Sequence, residues 1–249
     1  MEVTLDYLLK GVATISKETI FLPTKDYVTP FINEMKRYTE NFVVKVTPSK
    51  QSFIHNGEII TAFYKVWIQA ILPEEENGYK VSYNMQYILD SNTPAYKFFK
   101  GYILSGRTQV VVTQQDYIMG TMESSKEIPN DFKKLLDRKS DINSWLEKLR
   151  CTEIINPQQV LGRMAESAMK TQLNIDGQKT KLSPTEIIVA YSTVYMDSLN
   201  GTTVRNNKQA TLYDLYKIIV EAICNDKDMI NVAEKIIVTN QIFKEVICW

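Results

Sequence analysis

The chain has one histidine, three cysteines, nine glycines and eight prolines in 249 residues, and no surplus of charge of either sign. Each shortage excludes something. A single histidine rules out a histidine-rich metal centre, although a carboxylate-only site needs none. Cys151, Cys224 and Cys248 are odd in number, far apart and without CxxC spacing. Neither a disulfide framework nor a thiolate zinc site is expected from them. Reduced, buried thiols in a cytoplasmic protein are the expectation instead. Lys plus Arg and Asp plus Glu both number 29, so the formal net charge is zero. A protein that coats nucleic acid usually carries a basic excess, and none is visible globally. No apolar run approaches the ~18 residues of a membrane span. The N-terminus lacks the basic, apolar, small-residue order of a secretory leader. There is no GxGxxG, no P-loop and no GxSxG, and hence no signature of dinucleotide binding, nucleotide hydrolysis or serine hydrolysis.

What remains is an ordinary globular composition. Hydrophobic residues make up 44% and charged residues 23%, enough to bury a core and to argue against disorder. Three Val residues make Phe42–Val46 a strand candidate. Gln51–Ile54 and Glu58–Leu72 flank His55-Asn56-Gly57, and Asn-Gly between apolar runs signals a tight hairpin, since both residues tolerate positive φ. Glu74-Glu75-Glu76-Asn77-Gly78 reads as an acidic, solvated turn. Tyr79–Leu89 reads as a strand with Val81, Tyr83, Met85 and Tyr87 along one face. Asp90–Pro94 reads as a turn and Ile103–Thr113 as a further strand bent at glycines.

The character changes near Ser124. A short helix after Pro30 is the one helix expected before that point, with Phe31, Met35 and Tyr38 on one side. After it, one helix is expected from Pro129 to about Arg150. A second is capped by Asn156 with Pro157 at its first position. Ser183-Pro184-Thr185-Glu186 has the form of a capping box. Thr211 with Asp214 opens a helix over Leu212–Cys224, and a last helix covers about Met229–Ile247. Strands followed by helices predict an α+β fold, with an antiparallel, sheet-rich N-terminal half (1–124) and a helical C-terminal half (125–249) packed on the sheet as one domain.

Candidate chemistry is sparse. His55 has no nucleophile or orienting partner nearby in sequence and reads as a turn residue. Asp90, Asp116 and Glu123 are the one set in which a carboxylate metal nuclease would hide. No catalytic residue, metal site or cofactor is expected. Two basic and polar places look exposed: Lys97, Lys100 and Arg107 around the glycines, and Arg205, Asn206, Asn207 and Lys208 in a linker. Arg, Lys and Asn together suit phosphate and base contacts. From Lys126 to Lys181 there are 11 basic and 8 acidic residues, a local surplus of three. Among the 14 tyrosines, pairs such as Tyr213 and Tyr216 stand at helical spacing. Such pairs are core residues more often than stacking platforms.

The stretch Tyr83–Gly120 resembles a phage and plasmid protein family of unknown function. In that family a strand ends in an Asn-Ser-x-Asp-Gly-Ser-like turn, followed by a run towards glycine and a Cys-Asn-Gly-like motif. The counterparts here are Asn84, Asp90 and Ser91, then Phe99-Lys100-Gly101, then Val110–Gly120. Thr113-Gln114-Gln115 stands where that motif would be, and the turn lacks its glycine. Leu212-Tyr213-Asp214-Leu215-Tyr216 is similar to the family's late aromatic helix. The resemblance spans about residues 30–240. It implies a phage-borne protein in the cytoplasm of a bacterial host. A non-enzymatic role in DNA metabolism, binding single-stranded nucleic acid as an oligomer, is the expectation at the level of fold analogy. The alternative is a protein-interaction or structural module of a phage, either a virion component or an inhibitor of a host protein.

Overall fold

The computed structural model describes residues 12–15, 18–21, 24–55, 58–76, 78–88, 95–104, 110–111, 113, 116–121, 126–138, 141–175, 178–180, 189, 210–225 and 231–247. The fold is α+β, with an antiparallel sheet in the first half and helices in the second. The described residues fall into two compact units. The first is built from Met1–Gly101, Gln115–Lys139 and Lys227–Ile230. The second is built from Tyr102–Gln114, Ser140–Asp226 and Asn231–Trp249.

The first unit opens with a small hairpin, β1 (Val12–Ile15) and β2 (Glu18–Phe21), and a helix, α1 (Thr24–Tyr38). The helix starts before Pro30 rather than after it, so Pro30 lies inside it. A proline there removes one helical hydrogen bond. The buried stripe Val28, Phe31, Ile32 and Met35 offsets that loss. Next come β3 (Val43–His55) and β4 (Glu58–Glu76), paired antiparallel with His55 opposite Glu58, as the hairpin signal predicts. β5 (Tyr79–Ile88) folds back on β4 through Gly78, whose φ of 79° suits glycine. β6 (Ala95–Ile103) completes the row β3-β4-β5-β6. β8 (Tyr117–Thr121) pairs with Ala95–Phe99 of β6. β3 is an edge strand, interrupted by a register shift between Ser49 and Lys50.

Sequence alternation gives this sheet two different faces. Val81, Tyr83 and Met85 alternate into the core as expected, joined by Ile68, Ala70, Tyr96 and Phe98. α1 and a second helix, α2 (Ile128–Leu136), supply Phe31 and Phe132 to that face. Phe31 stacks on Phe98 at 5.7 Å and meets Phe132 edge-on at 5.4 Å. Tyr83 meets Phe132 at 5.6 Å. Tyr96 lies across Gly120, where a Cβ would come within 2.2 Å of its ring. Only a residue without a side chain fits there.

Three expectations are corrected in the elements. Gly101 lies inside β6 rather than bending the chain. The strand expected over Ile103–Thr113 is reduced, among the described residues, to β7 (Val110–Val111), which pairs with Tyr102–Ile103. The long helix expected from Pro129 to Arg150 is two helices, α2 and α3 (Ile142–Cys151). The polar run Asp137–Asp141 stops the first, and the Asp141 carboxylate starts the second by accepting from the Ser144 N–H at 3.1 Å.

The second unit is helical. α3 packs on α5 (Leu212–Asn225), α5 on α6 (Val232–Ile247), and α4 (Pro157–Lys170) on α6. A hairpin of β9 (Leu173–Ile175) and β10 (Gln178–Thr180) also lies against α6. Asn156 caps α4 as expected, accepting from Gln159 N–H at 3.1 Å with Pro157 at the first position. Thr211 and Asp214 cap α5 reciprocally. Ser183–Glu186 lies outside the described residues. Asn156→Ala is expected to lower stability by ~1 kcal/mol, because one amide at the start of α4 loses its acceptor. A denaturation midpoint equal to that of the parent chain would show that α4 needs no cap.

Candidate functional site

Lys97 and Lys100 do not form one exposed basic patch. They are three residues apart on β6, and strand alternation sends them to opposite faces of the sheet. Both are buried, at 1% and 3% exposure, which corrects the expectation that this place is open. The Lys100 ammonium donates to Glu76 Oε2 at 2.7 Å. Glu76 is thus tied to the sheet; Glu74 and Glu75 are exposed but belong to β4, which corrects the turn expected to begin at Glu74. Arg107, Arg205, Asn206 and Lys208 lie outside the described residues.

Lys97 shares its face with a row of buried polar side chains: Gln69, Ser82, Asn84 and Gln86. Asn84 organises the row. Its Oδ1 accepts from the Trp67 indole N–H at 3.0 Å. Its Nδ2 donates to Ser82 O at 3.0 Å, Ser82 Oγ at 2.9 Å and Phe99 O at 3.2 Å. One amide therefore staples β4, β5 and β6, and its capacity is spent inside the sheet. The Gln69 amide, opposite Asn84 in register, has no hydrogen-bond partner among the described residues.

Asp116 is buried, and Asp90 and Glu123 lie outside the described residues. No group of three or more His, Cys, Asp or Glu residues could hold a metal among the described residues. His55 ends β3 opposite Glu58. Cys224 is buried as expected; Cys151 is exposed, a correction, because it closes α3 on the outer side. No helix of the described residues is long and apolar enough to cross a membrane.

In the second unit, two basic groups meet aromatic rings along the seam of α3, α5 and α6. The Arg150 guanidinium sits 4.6 Å from the centre of the Tyr213 ring. The Lys244 ammonium sits 5.9 Å from the centre of the Trp145 ring. Both rings are half-buried, while Arg150 keeps 37% of its side chain exposed and Lys244 is exposed. The seam is anchored from below. Trp145 meets Tyr216 edge-on at 6.3 Å, and Tyr216 meets Phe243 edge-on at 5.2 Å. Tyr216 is buried and donates from its hydroxyl to Asn240 Oδ1 at 2.6 Å. Burial pushes that hydroxyl well above the ordinary tyrosine range. Of the helical tyrosine pair, Tyr216 is core, as its spacing predicted, and Tyr213 is half-exposed beneath a cation.

Sequence reasoning did not assemble this seam. Trp145 and Arg150 belong to α3, Tyr213 to α5 and Lys244 to α6, and no local spacing links them. The usable signals were the basic surplus around Arg150 and the Tyr213–Tyr216 pair. No protein-family model, curated protein or solved structure matches this chain.

Proposed function

We propose that the protein is a non-enzymatic, phage-type binder of single-stranded nucleic acid. The observation that carries this reading is the pairing of cations with half-exposed rings on the α3–α5–α6 seam. Aromatic faces stack on bases of any sequence, and cations beside them meet phosphates. A net charge of zero is compatible with a weak, local footprint rather than with coating of long strands. Arg205, Asn206 and Lys208, in a polar linker before α5, and Arg107 extend the same chemistry in sequence. The phage origin and the host cytoplasm rest on the Tyr83–Gly120 resemblance. Self-association would multiply a weak site.

Fluorescence anisotropy with a labelled oligothymidylate tests the reading. Affinity is expected to fall as salt rises. Arg205→Ala with Lys208→Ala is expected to make the salt slope shallower by roughly 0.7 for each lost phosphate contact. Absence of binding at low salt sinks the reading. An unchanged slope in the folded double variant removes that linker from the site.

A second reading, a protein-interaction module of a phage, is favoured by Ile155 and Met169, apolar side chains 80% and 66% exposed on the second unit. Single exposed apolar residues are common, so this support is thinner. Stoichiometric co-purification with a protein and without nucleic acid would favour it.

A further inference from the structure

We propose that Arg150 and Lys244 are resting covers on two base-stacking platforms. On binding, successive bases take over the faces of Tyr213 and Trp145 that the cations occupy, and the cations move to the flanking phosphates. The inference rests on the single-strand reading above and adds to it which groups meet bases and which meet phosphates.

The geometry separates fixed parts from movable ones. Trp145 is held from within by its edge-on contact with Tyr216, which Asn240 and Phe243 hold in turn. Tyr213 lies in the first turn of α5, whose start is fixed by the Thr211–Asp214 cap. Leu212 N–H also donates to Thr152 O at 2.9 Å, tying that turn to the end of α3. The rings are therefore preorganised, and little freedom is lost when a base lands on them. The cations differ. Arg150 and Lys244 reach the rings on long side chains, half-buried for Arg150 and exposed for Lys244. Beside the ring, Arg150 also donates to Glu147 Oε1 at 3.3 Å, and 62% of the Glu147 side chain is exposed. An exposed pair of that kind contributes little and is readily given up.

The order of strengths sets the direction of exchange. A cation over an exposed ring is worth less than a base stacked on it. A phosphate is the better partner for a guanidinium, which can meet two of its oxygens at once. Strand binding therefore replaces the two cation–ring contacts with two stacks and two charge contacts. Since the platforms stand on neighbouring helices of one unit, the ligand is a flexible strand whose bases can be splayed apart. The bases of a closed duplex cannot reach them.

The test compares an oligothymidylate with an abasic oligonucleotide of equal length, using the full chain. The abasic strand is expected to bind roughly tenfold more weakly, because it has phosphates and no bases to stack. Tyr213→Leu is expected to weaken oligothymidylate binding by a similar factor, and Tyr213→Phe to retain the native affinity. Tryptophan emission should fall when the oligothymidylate binds to the native chain, and Trp145→Phe should abolish that fall. Equal affinity for the two strands, with emission unchanged, would overturn the inference while leaving single-strand binding standing. Failure of either strand to bind at low salt would remove the underlying reading as well. If Tyr213→Leu does not fold, the abasic comparison and the emission change on the native chain decide.

Discussion

Phe132→Ala is expected to lower the stability of the first unit by about 3–5 kcal/mol, the range for emptying an aromatic site in a core. Phe132 comes from α2 and is fully buried. Its ring meets Phe31 of α1 at 5.4 Å, Tyr83 of β5 at 5.6 Å and Phe98 of β6 at 6.3 Å, each edge-on. It joins α2 to one other helix and to two strands. Truncation leaves a cavity bounded by rings that are themselves packed and cannot collapse into it. It also removes three aromatic contacts whose edge-to-face geometry adds to simple burial. Chemical denaturation followed by circular dichroism measures the loss. A destabilisation below ~1 kcal/mol would mean that the aromatic cluster does not hold α2 to the sheet.

Asn84→Leu is expected to cost about 3 kcal/mol or more, although leucine is close in size and apolar. The cost arises from the groups left behind. The Trp67 indole N–H loses its acceptor, and Phe99 O and Ser82 Oγ lose a donor. Each buried group stripped of its partner costs about 1–3 kcal/mol. Compensation by water is disfavoured, since Trp67, Ser82 and Asn84 are all buried. Loss of the indole hydrogen bond should also shift tryptophan emission in the folded variant. Wild-type stability in Asn84→Leu would show that the staple across β4, β5 and β6 is decorative.

Elements fixed by local chemistry were legible in the sequence. Asn56-Gly57 pointed to a hairpin there, and β3 and β4 pair in register up to His55 opposite Glu58. Asn156 and Thr211 marked helix starts because their oxygens satisfy free amides. Elements fixed by tertiary context were harder. The apolar spacing of Phe132, Leu135, Ile142, Leu146 and Leu149 runs through the break between α2 and α3, and all five are buried. Periodicity alone therefore described one helix, and the Ser140-Asp141 pair was the signal that should have split it. Lys97 and Lys100 suggested an exposed loop because charge usually marks surface. Their neighbours Tyr96, Phe98 and Phe99 are buried and carry the strand inward. The Lys100–Glu76 pair that makes burial tolerable joins two strands. The ring–cation seam was the least legible, since its members come from three helices and meet only after those helices pack.

The edge formed by β3 has a consequence for how copies of the chain can meet. Among the described residues this strand of 13 residues pairs with β4 alone. Its middle carries Pro48, then the register shift between Ser49 and Lys50. Proline on an edge strand turns its missing donor outward, and a bulge twists the edge away from a straight ladder. A second chain laid along β3 would lose its register near the centre. Growth of a continuous sheet from molecule to molecule is thus disfavoured along β3. β3 is a poor place from which to seed a fibril.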